Sequence, residues 1–334
     1  MRKTIAVCVG AALLATGSVA AAEEAASAKP PGKRLRLQFQ ETRQRGDVAG
    51  TSRTSSLLLH ADAGSARLFV GTQLAITQNE KDATTTNFKN VGLTARVGVV
   101  ALPDGRYRLD AEYEDSQKRG VTVERAPGPV TAGNPVLQVV KARSGFVLRE
   151  GESVPFASAT DPVTGEVVRV ELSLAAAPPP RAAASAAASS GRQRAQLVVT
   201  RRQGQNMLAR RPYSVLLQEG GEGEGDKSDK VEVFSGSQLP VQTRAGNNQI
   251  TVALKDVGAG LQLTAQRLAD GRYRLEVRFS DGILSPGEGA PELHVFQSES
   301  TLVVREGETL TLASAIDPQT GELVEAELTL EGLK

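Results

Sequence analysis

Two hexapeptides hold the densest polar chemistry in the chain: Asp161-Pro162-Val163-Thr164-Gly165-Glu166 and Asp317-Pro318-Gln319-Thr320-Gly321-Glu322. Each offers two carboxylates and a Thr hydroxyl, groups that a Ca2+ ion or a protein partner can use. Ca2+ takes roughly six or more oxygens, so two carboxylates fall well short. The same residues spell a tight turn: Asp accepts a backbone N–H, Pro presets φ, and Gly takes the left-handed position. Apolar strands flank both motifs, as a hairpin requires. Asp161, Pro162, Gly165, Asp317, Pro318 and Gly321 are therefore expected to be structural turn residues. No catalytic, cofactor-binding or metal residue is assigned, and no cofactor is expected.

The remaining reactive residue types are sparse. The chain has two His and one Cys. His60 takes the place of Gln218, and His294 that of Gln138, when the two halves of the chain are aligned. Neither His belongs to a ligand-spacing pattern, so both are expected at strand ends near the surface. Ser and Thr are plentiful, but there is no G-x-S-x-G and no S-x-x-K. Carboxylate pairs for glycoside hydrolysis need only meet in space, so sequence leaves them open. The acidic residues are interleaved with Arg on the wet faces of strands, which reads as cross-strand charge pairing. With 8 Phe, 4 Tyr and no Trp there is little surface on which a sugar could stack. Arg192, Arg194, Arg201, Arg202, Arg210 and Arg211 form a local basic cluster open to anionic lipid, glycan or nucleic acid. The expected reading is a solvated edge strand kept from aggregating by its charges. The acidic Gly-rich stretch 219–226 would repel phosphate and reads as a hairpin tip.

Lys plus Arg number 39 against 38 Asp plus Glu, a net charge of +1, which gives no basic field for nucleic acid. Residues 1–22 read as a secretory signal peptide: Arg2 and Lys3, an apolar run, and Ala20-Ala21-Ala22 before Glu23. Cys8 lies near the start of that run and would leave with it. Residues 23–32 form a short tether. No later stretch approaches ~20 apolar residues, so no further helix is expected to span a bilayer. The expected location is periplasmic or secreted, at most peripheral to the outer membrane.

The elements that must position these motifs are written twice. FVLREGESVPFASATDPVTGEVVRVELSL (146–174) and LVVREGETLTLASAIDPQTGELVEAELTL (302–330) match without a gap. NVGLTARVGVVALPDGRYRLDAEYED (90–115) pairs with DVGAGLQLTAQRLADGRYRLEVRFSD (256–281), and Gly71-Thr72-Gln73-Leu74 with Gly236-Ser237-Gln238-Leu239. Copy one spans 33–174 and copy two 193–334. Copy one carries a longer loop at 123–135, and an Ala/Pro/Ser-rich linker (175–192) joins the copies. Tyr107, Leu109, Ala111 and Tyr113 alternate with charged residues, as do Tyr273, Leu275, Val277 and Phe279. That period of 2 marks half-buried strands. Asp104-Gly105, Asp270-Gly271, Glu150-Gly151 and Glu306-Gly307 mark the turns. The fold class is all-β: two tandem antiparallel β-sandwich-like domains of about seven or eight strands each, expected to fold separately. Most strands look six to eight residues long, short of what an outer-membrane barrel strand needs.

The order of the Gly-x-Gln-Leu entry, the Val-Gly strands, the Asp-Gly hairpins and the Arg-Glu-Gly-Glu strand ends (149–152 and 305–308) resembles the β-rich core module of bacterial secretins. These are the ring proteins of type II secretion and type IV pili. The sequence lacks their N-terminal ring domains and lip segment, and Ala-Ser-Ala with Asp-Pro-x-Thr-Gly-Glu replaces the usual apolar ending. The resemblance implies a non-enzymatic cell-envelope protein acting in binding or assembly, with an envelope partner or self-assembly, in the context of secretion or pilus machinery. The alternative is an adhesin-like or carbohydrate-binding pair of β-sandwich domains.

Overall fold

The computed structural model describes residues 33–46, 48–61, 64–80, 83–119, 136–161, 164–182, 192–218, 229–244, 250–285 and 292–332. The leader, the tether, the 123–135 loop, Pro162, the acidic stretch 219–226 and linker residues 183–191 lie outside the described residues.

Copy one forms β1 (Arg34–Arg45), β2 (Val48–His60), β3 (Ser65–Glu80), β4 (Ala83–Ala101), β5 (Tyr107–Arg119), β6 (Val136–Leu148), β7 (Ser153–Thr160) and β8 (Glu166–Ala176). After the two-residue β9 (Arg181–Ala182), copy two forms β10 (Arg192–Gln203), β11 (Asn206–Gln218), β12 (Asp229–Arg244), β13 (Ile250–Arg267), β14 (Tyr273–Ser285), β15 (Glu292–Val304), β16 (Glu308–Ile316) and β17 (Leu323–Gly332). Each of β10 to β17 is the counterpart of β1 to β8 in turn. The alternation seen in sequence sets the faces. Along β14, Tyr273, Leu275, Val277 and Phe279 are buried while Arg274, Glu276 and Arg278 are exposed.

The strands form two antiparallel sheets. One runs β11-β10-β17-β16-β2-β1-β8-β7, with β9 added beside β16; the other runs β12-β13-β14-β15-β3-β4-β5-β6. Each copy thus supplies four strands to each sheet, and the copies meet edge to edge. β15 pairs with β3 from Leu293↔Gln73 to Ser300↔Ala66. β16 pairs with β2 at Ala313↔Leu57 and Ser314↔Ser56. The inner faces of both sheets share one apolar core that includes residues of both copies. Leu35, Leu37 and Phe39 of β1 and Leu109, Ala111 and Tyr113 of β5 all belong to it, and the Phe39 and Tyr113 ring centroids are 5.5 Å apart. Each such large side chain contributes about 1.5–3 kcal/mol by leaving water.

Three sequence expectations change. The strands are longer than six to eight residues: β3 has 16, β4 19, β12 16 and β13 18. Alternation marks only the part of a strand over the core. Beyond it, Thr-rich stretches such as Ala83–Phe88 continue the ladder, because main-chain hydrogen bonding and β-branched stiffness do not need an apolar face. The β3–β4 and β12–β13 hairpins continue this way until their far ends meet at Arg244↔Thr84. The length argument against a barrel therefore falls, although the sheets, as described, are open at β6/β7 and β11/β12. Second, β8 runs to Ala176, and Arg181–Ala182 pair with Thr309 and Glu308, so part of the segment read as linker is strand. Third, β10 is interior; β11 is the edge.

The Gly-x-Gln-Leu and Val-Gly motifs turn out to be one device per copy. Gly71 faces Gly92 across β3–β4, and Gly236 faces Gly258 across β12–β13. A Cβ on Gly92 would lie 2.4 Å from the Val70 carbonyl oxygen, and one on Gly258 2.3 Å from that of Ser235. Both have φ values reserved for glycine, +145° and +139°. Gly92→Ala should therefore cost on the order of 3 kcal/mol, read as a lowered urea midpoint with an unchanged slope.

Candidate functional site

The charged residues that alternation carries onto the inner faces form one buried cluster in each copy. In copy one, Arg43 on β1 contacts Glu41 at 2.5 Å, Glu166 at 3.2 Å and Asp115 of β5. Arg53 on β2 bonds Glu41 and lies 2.9 Å from Asp115. The Tyr113 hydroxyl donates to Glu41. Asp115 is fully buried, and Glu41 and Arg43 are nearly so. In copy two, Arg201 reaches Asp281 at 3.2 Å and Glu322 at 3.4 Å, and Arg211 reaches Asp281 at 2.9 Å. Val199 and Phe279 stand where copy one has Glu41 and Tyr113. Replacing both partners of a buried hydrogen bond by apolar groups is close to neutral, which is why the pair can be exchanged as a unit.

The two clusters differ in charge balance. Copy one sets Arg43 and Arg53 against Glu41, Asp115 and Glu166; copy two sets Arg201 and Arg211 against Asp281 and Glu322. Burial, and then the nearby Glu41 charge, push the Asp115 carboxyl up. Its Oδ1 has no hydrogen-bond partner. Burial also works against ionised Glu41, but Arg53 and Arg43 overcome it and hold its pKa low. These carboxylates face arginines in closed surroundings and are committed to bonding the two sheets.

The two turn motifs feed these clusters, since Glu166 and Glu322 are their last residues. At the β7–β8 hairpin the Gly165 N–H donates to the Asp161 carbonyl at 2.8 Å, and the Thr164 N–H to Asp161 Oδ1 at 3.2 Å. At β16–β17 the Gly321 N–H donates to the Asp317 carbonyl at 2.9 Å, and the Gln319 N–H to Asp317 Oδ1 at 2.8 Å. Pro318 follows Asp317 in that turn. Gly165 and Gly321 have φ of 69° and 73°. Gly165→Val and Gly321→Val are expected to destabilise by more than ~1 kcal/mol in thermal melts, because a β-branched residue is strained there.

The histidines are buried and not at the surface: His294 shares the core-facing parity of Phe296 on β15, whereas His60 lies on the opposite face of β2 from Leu57 and Leu59, across from Arg34. His294 sits on the copy junction opposite Thr72, with Nδ1 3.0 Å from Thr72 Oγ1 and 3.8 Å from Asp317 Oδ2. The Asp317 carboxylate, helped by Glu292 and opposed by burial and Arg201, raises the His294 pKa above 6.5. Burial alone would raise Asp317, but His294 and the Gln319 and Thr320 N–H groups hold it below 3.8. The His contribution is complete below pH 6.5 and is lost as pH rises through the raised folded value. The Asp contribution is present above pH 3.8 and is lost as pH falls through the depressed one. The melting temperature should accordingly fall as the pH is raised above 6.5. In His294→Gln, which copies Gln138, that fall should vanish; an unchanged fall would show that His294 is not its source.

Sequence reasoning missed both ionic clusters and read Arg201 as part of a solvated edge. Arg201 is 3% exposed. The signal was present: Glu41 and Arg43 continue the buried parity of Leu35, Leu37 and Phe39, and Arg201 that of Leu197 and Val199. Among the described residues no group of His, Cys, Asp and Glu could hold a metal ion, and no helix is long and apolar enough to cross a membrane.

No protein-family model matches the sequence, and no curated protein matches it. Solved structures do. The Salmonella SPI-1 type III secretion injectisome secretin InvG is 11% identical with a TM-score of 0.33, covering 45% of this chain and 66% of that one. The T2SS secretin XcpQ from Pseudomonas aeruginosa is 14% identical with a TM-score of 0.28, covering 90% and 59%. The chain resembles the β-rich module of secretins. The V. cholerae Type IV competence pilus secretin PilQ is 13% identical with a TM-score of 0.24, covering 91% and 61%. The chain spans about half to two thirds of the length of the first secretin chains it matches. A likeness this loose assigns neither activity nor partners.

Proposed function

We propose that the chain is a non-enzymatic component of the bacterial cell envelope, a tandem of secretin-like β-modules that acts in assembly alongside secretion or pilus machinery. The observation that supports this is the copy junction. Two modules of one chain are joined by main-chain hydrogen bonds across β3–β15 and β2–β16 into continuous sheets. Modules that pair edge to edge are suited to building larger β-structures. Of the buried carboxylates, Glu41, Asp115 and Asp281 are engaged by arginines and Asp317 by His294 and turn N–H groups, which supports a structural use of these groups. The Asp-Pro-x-Thr-Gly-Glu loops serve in this reading as turns, and the mature chain resides in the periplasm or at the periphery of the outer membrane.

A photo-cross-linking residue at Phe234, on the exposed edge strand β12, tests the reading in intact cells. Cross-links to envelope proteins of a secretion or pilus system, or to the chain itself, are the expected result. Turnover of a glycoside or peptide substrate by purified protein, abolished by Asp115→Asn with the fold intact, would overturn it.

A further inference from the structure

The wet face of the sheet that holds β3 to β6 carries a row of charges whose pairing lapses at one point. Across the strands the row reads Arg278, Glu299, Arg67, Arg96, Glu112 and Arg143, each opposite the next. The signs alternate except at the centre, where Arg67 of β3 stands directly opposite Arg96 of β4. Like charges placed so destabilise a sheet. Copy two avoids the cost: the counterparts of these two arginines are Glu232 and Gln262, which also face each other.

The next row holds a second departure beside the first. In copy two, Glu276 of β14 is flanked by Thr264 and Thr301. In copy one its counterpart, Asp110 of β5, is flanked by Gly98 and Gly145. A glycine inside a strand weakens it and often marks a place where a ligand approaches the backbone. Neither conformation nor crowding asks for glycine here. Neither residue has a positive φ, and a Cβ on Gly98 would meet nothing nearer than 3.7 Å. One on Gly145 would meet nothing nearer than the movable Asp110 carboxylate at 3.2 Å.

The two departures meet at a cavity of about 510 Å3 lined by Arg67, Arg96, Arg143, Gly98 and Asp110. At its rim Glu112 is paired with Arg96 at 3.6 Å and Lys141 at 3.4 Å, and Glu299 with Arg278 at 2.9 Å. Arg67, Arg143 and Asp110 make no ion pair among the described residues. Two adjacent guanidiniums can share one oxyanion through several charge-assisted hydrogen bonds. An ionised Asp only accepts hydrogen bonds, so whatever meets Asp110 must bring donors. An ammonium would do so only among three guanidiniums, whereas hydroxyls carry no charge. A carboxylate set beside hydroxyl groups satisfies both demands.

We propose that this face of copy one binds an acidic sugar, its carboxylate held between Arg67 and Arg96 and its ring hydroxyls donating to Asp110, with Gly98 leaving room for the ring. Arg143 offers a second place for a carboxylate, as a polysaccharide charged on successive sugars requires. The site goes beyond the assembly reading and does not depend on it: it ties one copy to an anionic glycan. Copy two, with Glu232, Gln262, Thr264 and Thr301 in the corresponding places, lacks these groups.

Calorimetric titration of the full chain tests this with trigalacturonate, the neutral maltotriose and inorganic phosphate as probes. Trigalacturonate should bind, less tightly as salt is raised, and neither of the others should match it. Arg96→Gln, which copies Gln262, should weaken binding about tenfold. Gly98→Thr, which copies Thr264, should weaken it as much by filling the cavity, with a melt no lower than that of the parent. Asp110→Asn separates a sugar from a bare anion. Loss of a carboxylate should tighten an anion, but should weaken about tenfold a ligand whose hydroxyls that carboxylate accepts. No binding of trigalacturonate, or binding that Arg96→Gln and Gly98→Thr both leave unchanged, would overturn the inference. So would phosphate or a single-stranded oligonucleotide bound as tightly as the sugar, or tighter sugar binding by Asp110→Asn.

Discussion

Asp281→Asn should destabilise the chain by about 3 kcal/mol at neutral pH, while the counterpart Asp115→Asn should cost about 1 kcal/mol. The residues hold the same place in the two copies, yet their surroundings differ. Among the described residues Asp281 is the only carboxylate bonding both Arg201 and Arg211, and Arg201 is buried. Neutralising it leaves two cations beside Glu322 alone. Asp115 is one of three carboxylates around Arg43 and Arg53, with its pKa already raised by burial and by Glu41. Neutralising it leaves two cations and two anions, so the cluster stays balanced. Urea unfolding of the two variants reads the difference directly. Equal losses would mean that the Glu41–Tyr113 pair of copy one does not offset the extra charge.

Phe296→Ala should cost about 4 kcal/mol, the range expected for emptying a fully buried aromatic site. Phe296 lies on β15 opposite Val70 of β3, is completely buried and packs against Phe279 at 6.1 Å between ring centroids. Its position on the junction makes the shape of the loss informative. The described residues share one core across both copies, so calorimetry should show a single transition moved to lower temperature. Two transitions, with copy one unmoved, would mean that the copies melt separately as the repeat alone suggests.

Much of the architecture is legible from the repeat and from alternation. Tyr107 to Tyr113 and Tyr273 to Phe279 give strands and faces directly, and the glycines of the Asp-Gly and Asp-Pro-x-Thr-Gly-Glu stretches fall at positive φ. Alternation reports which side of a strand is dry but carries nothing about which strand lies beside it. The pairing of β3 with β15 was therefore invisible, although Phe69 and Phe296 both bury there. The burial of Arg201 escapes a sequence reading for a related reason. Charge ordinarily marks the wet face, whereas parity with Leu197 and Val199 puts Arg201 on the dry one. The burial of the histidines is equally hidden from sequence. His294 looked like a strand-end residue because its neighbours, and not its own type, decide that it sits on the junction. The exchange of Glu41 and Tyr113 for Val199 and Phe279 becomes readable only when contact across the sheets shows the four positions as two pairs.

The most direct test of the central claim, that the copies join into continuous sheets, is backbone hydrogen exchange on the full chain in dilute solution. The amides of Ala66–Gln73 on β3 and Leu293–Ser300 on β15 that point across the junction should exchange as slowly as those facing β4 and β14. Their counterparts on the edges, Val231–Gln238 and Leu137–Ser144, should exchange much faster wherever they point outward. If the junction amides exchange as fast as those edge amides, the copies are not paired and the account fails.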